Sequence, residues 1–162
     1  MMRIAAVAVS AMLLAGAAMA QGTNIAFGGL KHDTSQPVEV ASDNLQIDQA
    51  NGSASFSGNV LITQGELRLS AGTVNVVYAP GSVGQISELR ATGGVTLVNG
   101  TEAAEAREAV YSIDKGTVVM TGNVILTQGQ NALSSDTLTI DLNSGTGNLS
   151  GRVRTVFQTG NN

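Results

Sequence analysis

A general base, a nucleophile or a metal centre needs His, Cys or paired carboxylates at close spacing. The sequence carries a single histidine, His32, and no cysteine. Thiol chemistry, thiolate metal sites and disulfides are therefore excluded, and a lone imidazole completes neither a ligand set nor a base and nucleophile pair. Asp48, Asp114 and Asp141 recur at the ends of alternating apolar stretches, beside Asn, Ser and Gly. That is where a carboxylate caps a turn, and it does not bring two acids to one bond. Gly28-Gly29 and Gly93-Gly94 precede no helical stretch of the kind that completes a phosphate loop. The sequence thus predicts no catalytic residue, no metal and no cofactor, which is the profile of a protein that is not an enzyme.

The residues that do recur at fixed spacing are of another type. Phe56-Ser57-Gly58-Asn59-Val60 returns as Ala91-Thr92-Gly93-Gly94-Val95, as Met120-Thr121-Gly122-Asn123-Val124 and as Leu149-Ser150-Gly151-Arg152-Val153, with the glycines 35, 29 and 29 residues apart. Such steps belong to wound or stacked repeats. A second phrase, Ser42-Asp43-Asn44-Leu45-Gln46-Ile47-Asp48, reappears 93 residues on as Ser135-Asp136-Thr137-Leu138-Thr139-Ile140-Asp141, in the same register as Gly58 and Gly151. A shift of 64 carries Thr63-Gln64-Gly65 onto Thr127-Gln128-Gly129. The body is a repeated pair of strands.

Around the phrases apolar and polar residues alternate with the period of half-buried strands. The predicted strands begin with Val38 to Asp48 and Ser53 to Thr63, followed by Glu66 to Tyr78 and Gln85 to Val98. Val118 to Thr127, Leu133 to Asp141 and Gly147 to Phe157 complete the set, with turns such as Asn51-Gly52 and Asn99-Gly100 between them. Turns this frequent suit a roll, sandwich or barrel. Residues 101–109 have helix propensity, but in repeat register Tyr111 and Ile113 fall where Leu138 and Ile140 fall, which favours strand. Alternation puts Phe56, Val60 and Ile62 on one face, with Val95 and Leu97, and Met120, Val124 and Leu126, as their counterparts. Leu138, Ile140, Leu149 and Val153 extend that apolar set. Gly on this face either lets each strand bend or leaves a trough for something else. Leu61 and Ile125 fall on the outer phase.

The ends differ from the body. Arg3 followed by an apolar run and Ala18-Met19-Ala20 describes a secretory signal peptide over residues 1–20, cleaved after Ala20, which predicts export. Residues 21–37 read as a flexible leader, 38–158 as the domain and 159–162 as a tail. Lys and Arg number 8 against 12 Asp and Glu, and the basic residues are scattered, so no nucleic acid is expected as a partner.

The leader Asn24-Ile25-Ala26-Phe27-Gly28-Gly29, Pro37-Val38-Glu39-Val40 and the two Gly-Asn-Val phrases resemble the OstA-like family, from about Asn24 to Phe157. The resemblance implies a β-jelly-roll, slightly open along one side, in the periplasm. Its interior would carry the lipid A acyl chains of lipopolysaccharide from an inner-membrane complex to an outer-membrane translocon, the copies stacking head to tail. The apolar set above would then line the groove. Val38, Val40, Leu45 and Ile47 would form one partner edge and Leu149, Val153 and Phe157 the other, while Arg68, Arg90 or Arg107 would meet the head group. A self-stacking scaffold without lipid transport is the alternative. A polysaccharide-binding roll would want the aromatic platforms that the sequence lacks.

Overall fold

The computed structural model describes residues 23–26 and 31–157 except 49, 51 and 83, the first four as backbone. The expected signal peptide and tail lie outside the described residues. The strands are β1 (Thr23–Ala26), β2 (Glu39–Ala41), β3 (Asn44–Asp48), β4 (Ser53–Gln64), β5 (Leu67–Tyr78), β6 (Ile86–Thr92), β7 (Val95–Asn99), β8 (Glu102–Ala106), β9 (Glu108–Ser112), β10 (Thr117–Gln128), β11 (Asn131–Asp141), β12 (Thr146–Ser150) and β13 (Arg154–Val156). They join in one antiparallel sheet, with no helix among the described residues. The helix-prone stretch is β8 and β9: the alternate burial of Glu102, Ala104, Ala109 and Tyr111 outweighs a propensity that is only a weak prior.

The repeated phrase is where the chain folds over. Register slips between Ser57 and Val60 in β4, and between Thr121 and Val124 in β10. The intervening residues are Gly58 (φ 78°) and Asn59 (φ 46°), and Gly122 (φ 86°) and Asn123 (φ 51°). In the other two copies Gly93 and Gly94 separate β6 from β7, and Gly151 (φ 76°) and Arg152 (φ 46°) separate β12 from β13. Two successive left-handed residues re-aim a strand, and Gly followed by Asn or Gly is the composition that tolerates them. Arg152 is the exception in that position.

On the strands between, the same line passes through Asp43, Gly72, Arg107 and Asp136. A Cβ added at Gly58, Gly93, Gly122 or Gly151 would come within 2.7, 3.3, 3.0 and 2.5 Å of these residues in turn. Backbone bonds follow the line too: the amides of Asp43, Arg107 and Asp136 donate to the carbonyls of Gly58, Gly122 and Gly151 at 2.9, 3.0 and 2.8 Å. The result is a crease across the whole sheet.

The crease divides the sheet into two leaves. One holds β2, the second half of β4, the first half of β5, β7, β8, the second half of β10, the first half of β11, and β13. The other holds β3, the first half of β4, the second half of β5, β6, β9, the first half of β10, the second half of β11, β12 and β1. The core lies between them. The β-roll expected from the repeats is thus made by folding each strand pair once.

Part of the predicted leader belongs to the sheet. β1 pairs with β12 from Thr23 opposite Leu149 to Ala26 opposite Thr146. Residues 31–37 then cross from one leaf to the other on the side away from the crease: the His32 amide donates to the Leu142 carbonyl at 2.9 Å, and the Gln64 side-chain amide donates to the carbonyls of Thr34 and Gln36 at 3.0 and 2.7 Å. Within the crossing, the Ser35 hydroxyl and then its amide hold the Asp33 carboxyl below its ordinary value. The edges change accordingly. Leu149 was expected on an outer edge but is interior, flanked by β11 and β1, because the N-terminal strand covers β12. The strands that end the leaves are β2 and β3 on one side, β13 and β1 on the other.

Candidate functional site

Directly opposed residues of an antiparallel pair share a face, so the interior can be read as rows across the strands. In the second leaf Leu45, Phe56, Val74, Ala91, Ala109, Met120, Leu138 and Leu149 form one row. Ile47, Ala54, Val76, Leu89, Tyr111, Val118 and Ile140 form the next. In the first leaf Ile62, Leu69, Leu97, Ala104, Leu126 and Leu133 line up, with the smaller Val60, Ala71, Val95, Ala106, Val124 and Ser135 nearer the crease. In the first leaf side chains therefore grow away from the crease, while the second leaf carries Phe56 and Met120 beside it.

All twelve residues expected to line the interior face it. Val60, Ile62, Val95, Leu97, Met120, Val124, Leu126, Leu138, Ile140 and Leu149 are buried, and Phe56 and Val153 pack against them partly buried. Val38 and Val40 also pack there. Leu45 and Ile47 are 52% and 64% exposed, although they continue two buried rows, because no strand lies beyond β3. Phe157 is 70% exposed after β13. The apolar rows thus run out into solvent at the β3 end.

Farthest from the crease, the first leaf changes chemistry. Gln64, Asn99 and Glu102 are 1%, 2% and 5% exposed, and Gln128 stands opposite Glu102. The Tyr111 hydroxyl reaches across from the other leaf and donates to Gln64 Oε1 at 2.5 Å; burial pushes that hydroxyl up from its ordinary pKa, partly opposed by the bond. Gln128 Nε2 donates to Glu102 Oε1 at 2.8 Å. The strands expected to end at Thr63 and Thr127, with turns at Gln64-Gly65 and Gln128-Gly129, run one residue further, and the inward amide escaped notice for that reason. The signal was there, since Gln64 and Gln128 keep the phase of Ile62 and Leu126.

The crease opens outward into two clefts related by the shift of 64. One, of about 390 Å³, is lined by Asn59, Val60, Leu61, Ser70, Ala71, Gly72, Gly93 and Gly94. The other, about 600 Å³, is lined by the counterparts Asn123, Val124, Ile125, Ser134, Ser135 and Asp136, with Arg152, Val153 and Arg154. Its Arg152 pairs with Asp136 at 2.5 Å and, through that bond, holds the carboxyl below its ordinary value. The arginines suggested for a head group do not converge. Arg68 lies on the outer face of the first leaf, Arg90 lies on that of the second and pairs with Glu88 at 3.1 Å, and Arg107 fills the crease against Gly122. Asp48 and Asp141 accept from the amides of Ala50 and Asn143, both at 2.9 Å, as turn caps. Among the described residues no His, Cys, Asp and Glu group has the makings of a metal site. His32 sits against Gly65 at the crossing segment.

This fold has known counterparts. The chain is 30% identical over 159 residues to the lipopolysaccharide export system protein LptA of Haemophilus influenzae, covering 92% of each. It is 31% identical over 113 residues to the protein of the same name from Escherichia coli, covering 66% of this chain and 60% of that one. The crystal structure of LptH, the LptA homologous periplasmic component of the lipopolysaccharide transport device of Pseudomonas aeruginosa, superimposes with a TM-score of 0.68 at 19% identity, over 78% of this chain and 98% of that one. The family model described as LptA/(LptD N-terminal domain) LPS transport protein matches residues 39–146. The chain belongs to this LptA-like family of LPS transport proteins.

Proposed function

We propose that this protein is a periplasmic carrier and bridge for lipopolysaccharide, shielding the acyl chains of lipid A between its two leaves without catalysing a reaction. The observation that carries the reading is the set of apolar rows that run across the inner strands of both leaves, two of them ending exposed at Leu45 and Ile47. Each methylene kept from water is stabilised by about 0.8 kcal/mol, so a multi-chain lipid demands a continuous apolar lining, and rows of this kind are one. Entry of the chains requires the leaves to part, and the crossing segment 31–37 with its Gln64 bonds lies on the side where they do.

Transfer between proteins follows from the ends. β2 and β3 on one side and β13 and β1 on the other present unpaired backbone groups, the usual template for adding a strand from another chain. Joined β3 to β1 and β2 to β13, successive copies would continue both leaves and both sets of rows. The same ends would meet an inner-membrane export complex and an outer-membrane translocon. Residues 1–20 serve export and are removed after Ala20.

A photo-crosslinking residue at Val60 or Val124, introduced in growing cells, tests the interior. Capture of lipopolysaccharide there and not at Arg68 or Arg90 is expected. Capture only at the outer positions would remove the interior from the mechanism. Depletion of the protein should halt lipopolysaccharide delivery to the cell surface, and unchanged delivery would overturn the function whatever the fold.

A further inference from the structure

Among the described residues Glu102 is the one acidic side chain on the inner face of the first leaf, and its two oxygens are unequal. Oε1 accepts from Gln128 Nε2 at 2.8 Å. Oε2 is buried and accepts no hydrogen bond among the described residues. The residue as a whole is 5% exposed, on the same face as buried Ala104. A carboxylate oxygen withdrawn from water without a donor is destabilising, and the bond from Gln128 satisfies only the other oxygen.

We propose that Glu102 Oε2 is a recognition group for the cargo: it accepts a hydrogen bond from a neutral hydroxyl or amide N–H of the sugar at the point where acyl chains join it. The proposal rests on the carrier reading and adds to it a specificity residue. Position supports it. Glu102 lies in the row farthest from the crease, one step beyond Ala104, Leu97 and Leu126, so chains lying across those rows, pointed toward the crease, bring their polar ends to it. Gln64 in the same row is already engaged by Tyr111 and by the carbonyls of Thr34 and Gln36, whereas Oε2 has its full accepting capacity. Charge selects the partner. A carboxylate accepts and cannot donate, and it repels a phosphate, so the group it meets is an uncharged donor. A metal ion is not the answer, since no cluster of three metal-ligating side chains occurs among the described residues.

Gln128 fixes the test. Because its amide donates to Oε1, Glu102→Gln keeps an oxygen there and sets an N–H where Oε2 stood, facing the ligand's donor. The exported chain and this variant are titrated with lipopolysaccharide and, separately, with a pyrene-labelled fatty acid methyl ester, which has acyl character but no donor. Lipopolysaccharide affinity should fall about tenfold or more, the usual scale for a hydrogen bond to a charged group, while methyl ester affinity stays unchanged. Glu102→Leu should show the same selective loss. Unchanged lipopolysaccharide affinity in Glu102→Gln, or equal losses for both probes, would overturn the assignment. A parent chain that binds the methyl ester but not lipopolysaccharide would overturn the carrier reading itself.

Discussion

Gly122→Ala tests whether the crease is built from backbone conformation. At φ 86° an L residue with a Cβ is strained by about 1–2 kcal/mol. The new methyl would also stand 3.0 Å from Arg107 Cβ, an atom fixed to the backbone of the neighbouring strand, and such overpacking adds about 1–3 kcal/mol. Together the substitution should cost about 2–5 kcal/mol. Gly129→Ala supplies the control: φ is 59° with nothing within 4 Å of the added atom, so only the conformational part, about 1–2 kcal/mol, should appear. Urea unfolding followed by circular dichroism, with the slope held common, measures both. Equal losses for the two variants would refute the close approach of Arg107, and a loss below about 0.5 kcal/mol for both would refute the left-handed crease.

Leu138→Ala, at a fully buried position, should cost about 2–5 kcal/mol, and Ile125→Ala, 47% exposed on the outer face, less than about 0.5 kcal/mol; denaturant midpoints compare them directly. Tyr111→Phe strips Gln64 Oε1 of its donor and should cost about 1–3 kcal/mol. Because the folded state raises this hydroxyl above its ordinary 10.0, its contribution is complete below that value and is lost as pH rises through the folded value. The alkaline fall in melting temperature should therefore be shallower in Tyr111→Phe, and parallel profiles would contradict it. Asp136 behaves oppositely: its lowered carboxyl adds stability above the ordinary 3.8 that disappears as pH falls through the folded value. Asp136→Asn should flatten that acid limb, with added salt reducing the difference, since both partners are exposed.

The repeat and the inward face were legible because each strand keeps a period of two up to the phrase, so Val60, Val124 and their counterparts could be named from alternation alone. The fold at Gly58 was not, because a glycine in a strand is equally compatible with a bend and with an opening; only the paired positive φ of Gly58 and Asn59 decides for the bend. Asn59 and Asn123 hinted at it, being the residues after Gly that best tolerate left-handed backbone, but Arg152 in the fourth copy hid the rule. β1 escaped notice for another reason. Four residues pairing with Thr146 to Leu149 leave no local pattern, and their place in the sheet is set by a contact more than a hundred positions away. Glu102 was masked by its own helix propensity and by the alanines around it.

Glycine spacing has a consequence for length. From Gly93 to Gly122 and from Gly122 to Gly151 the chain advances 29 residues each time, crosses the crease twice and adds two strands to each leaf. Excising residues 93–121 would splice Thr92 to Gly122 and regenerate an intact Thr-Gly-Asn-Val phrase. β6 would then inherit the pairing of the first half of β10 with β11, and the second half of β10 that of β7 with β5, every direction preserved. The molecule would be shorter by about 10 Å along its axis, with its cross-section untouched. Span and bore are thus independent variables in this architecture, the one counted in whole units and the other written at the crease.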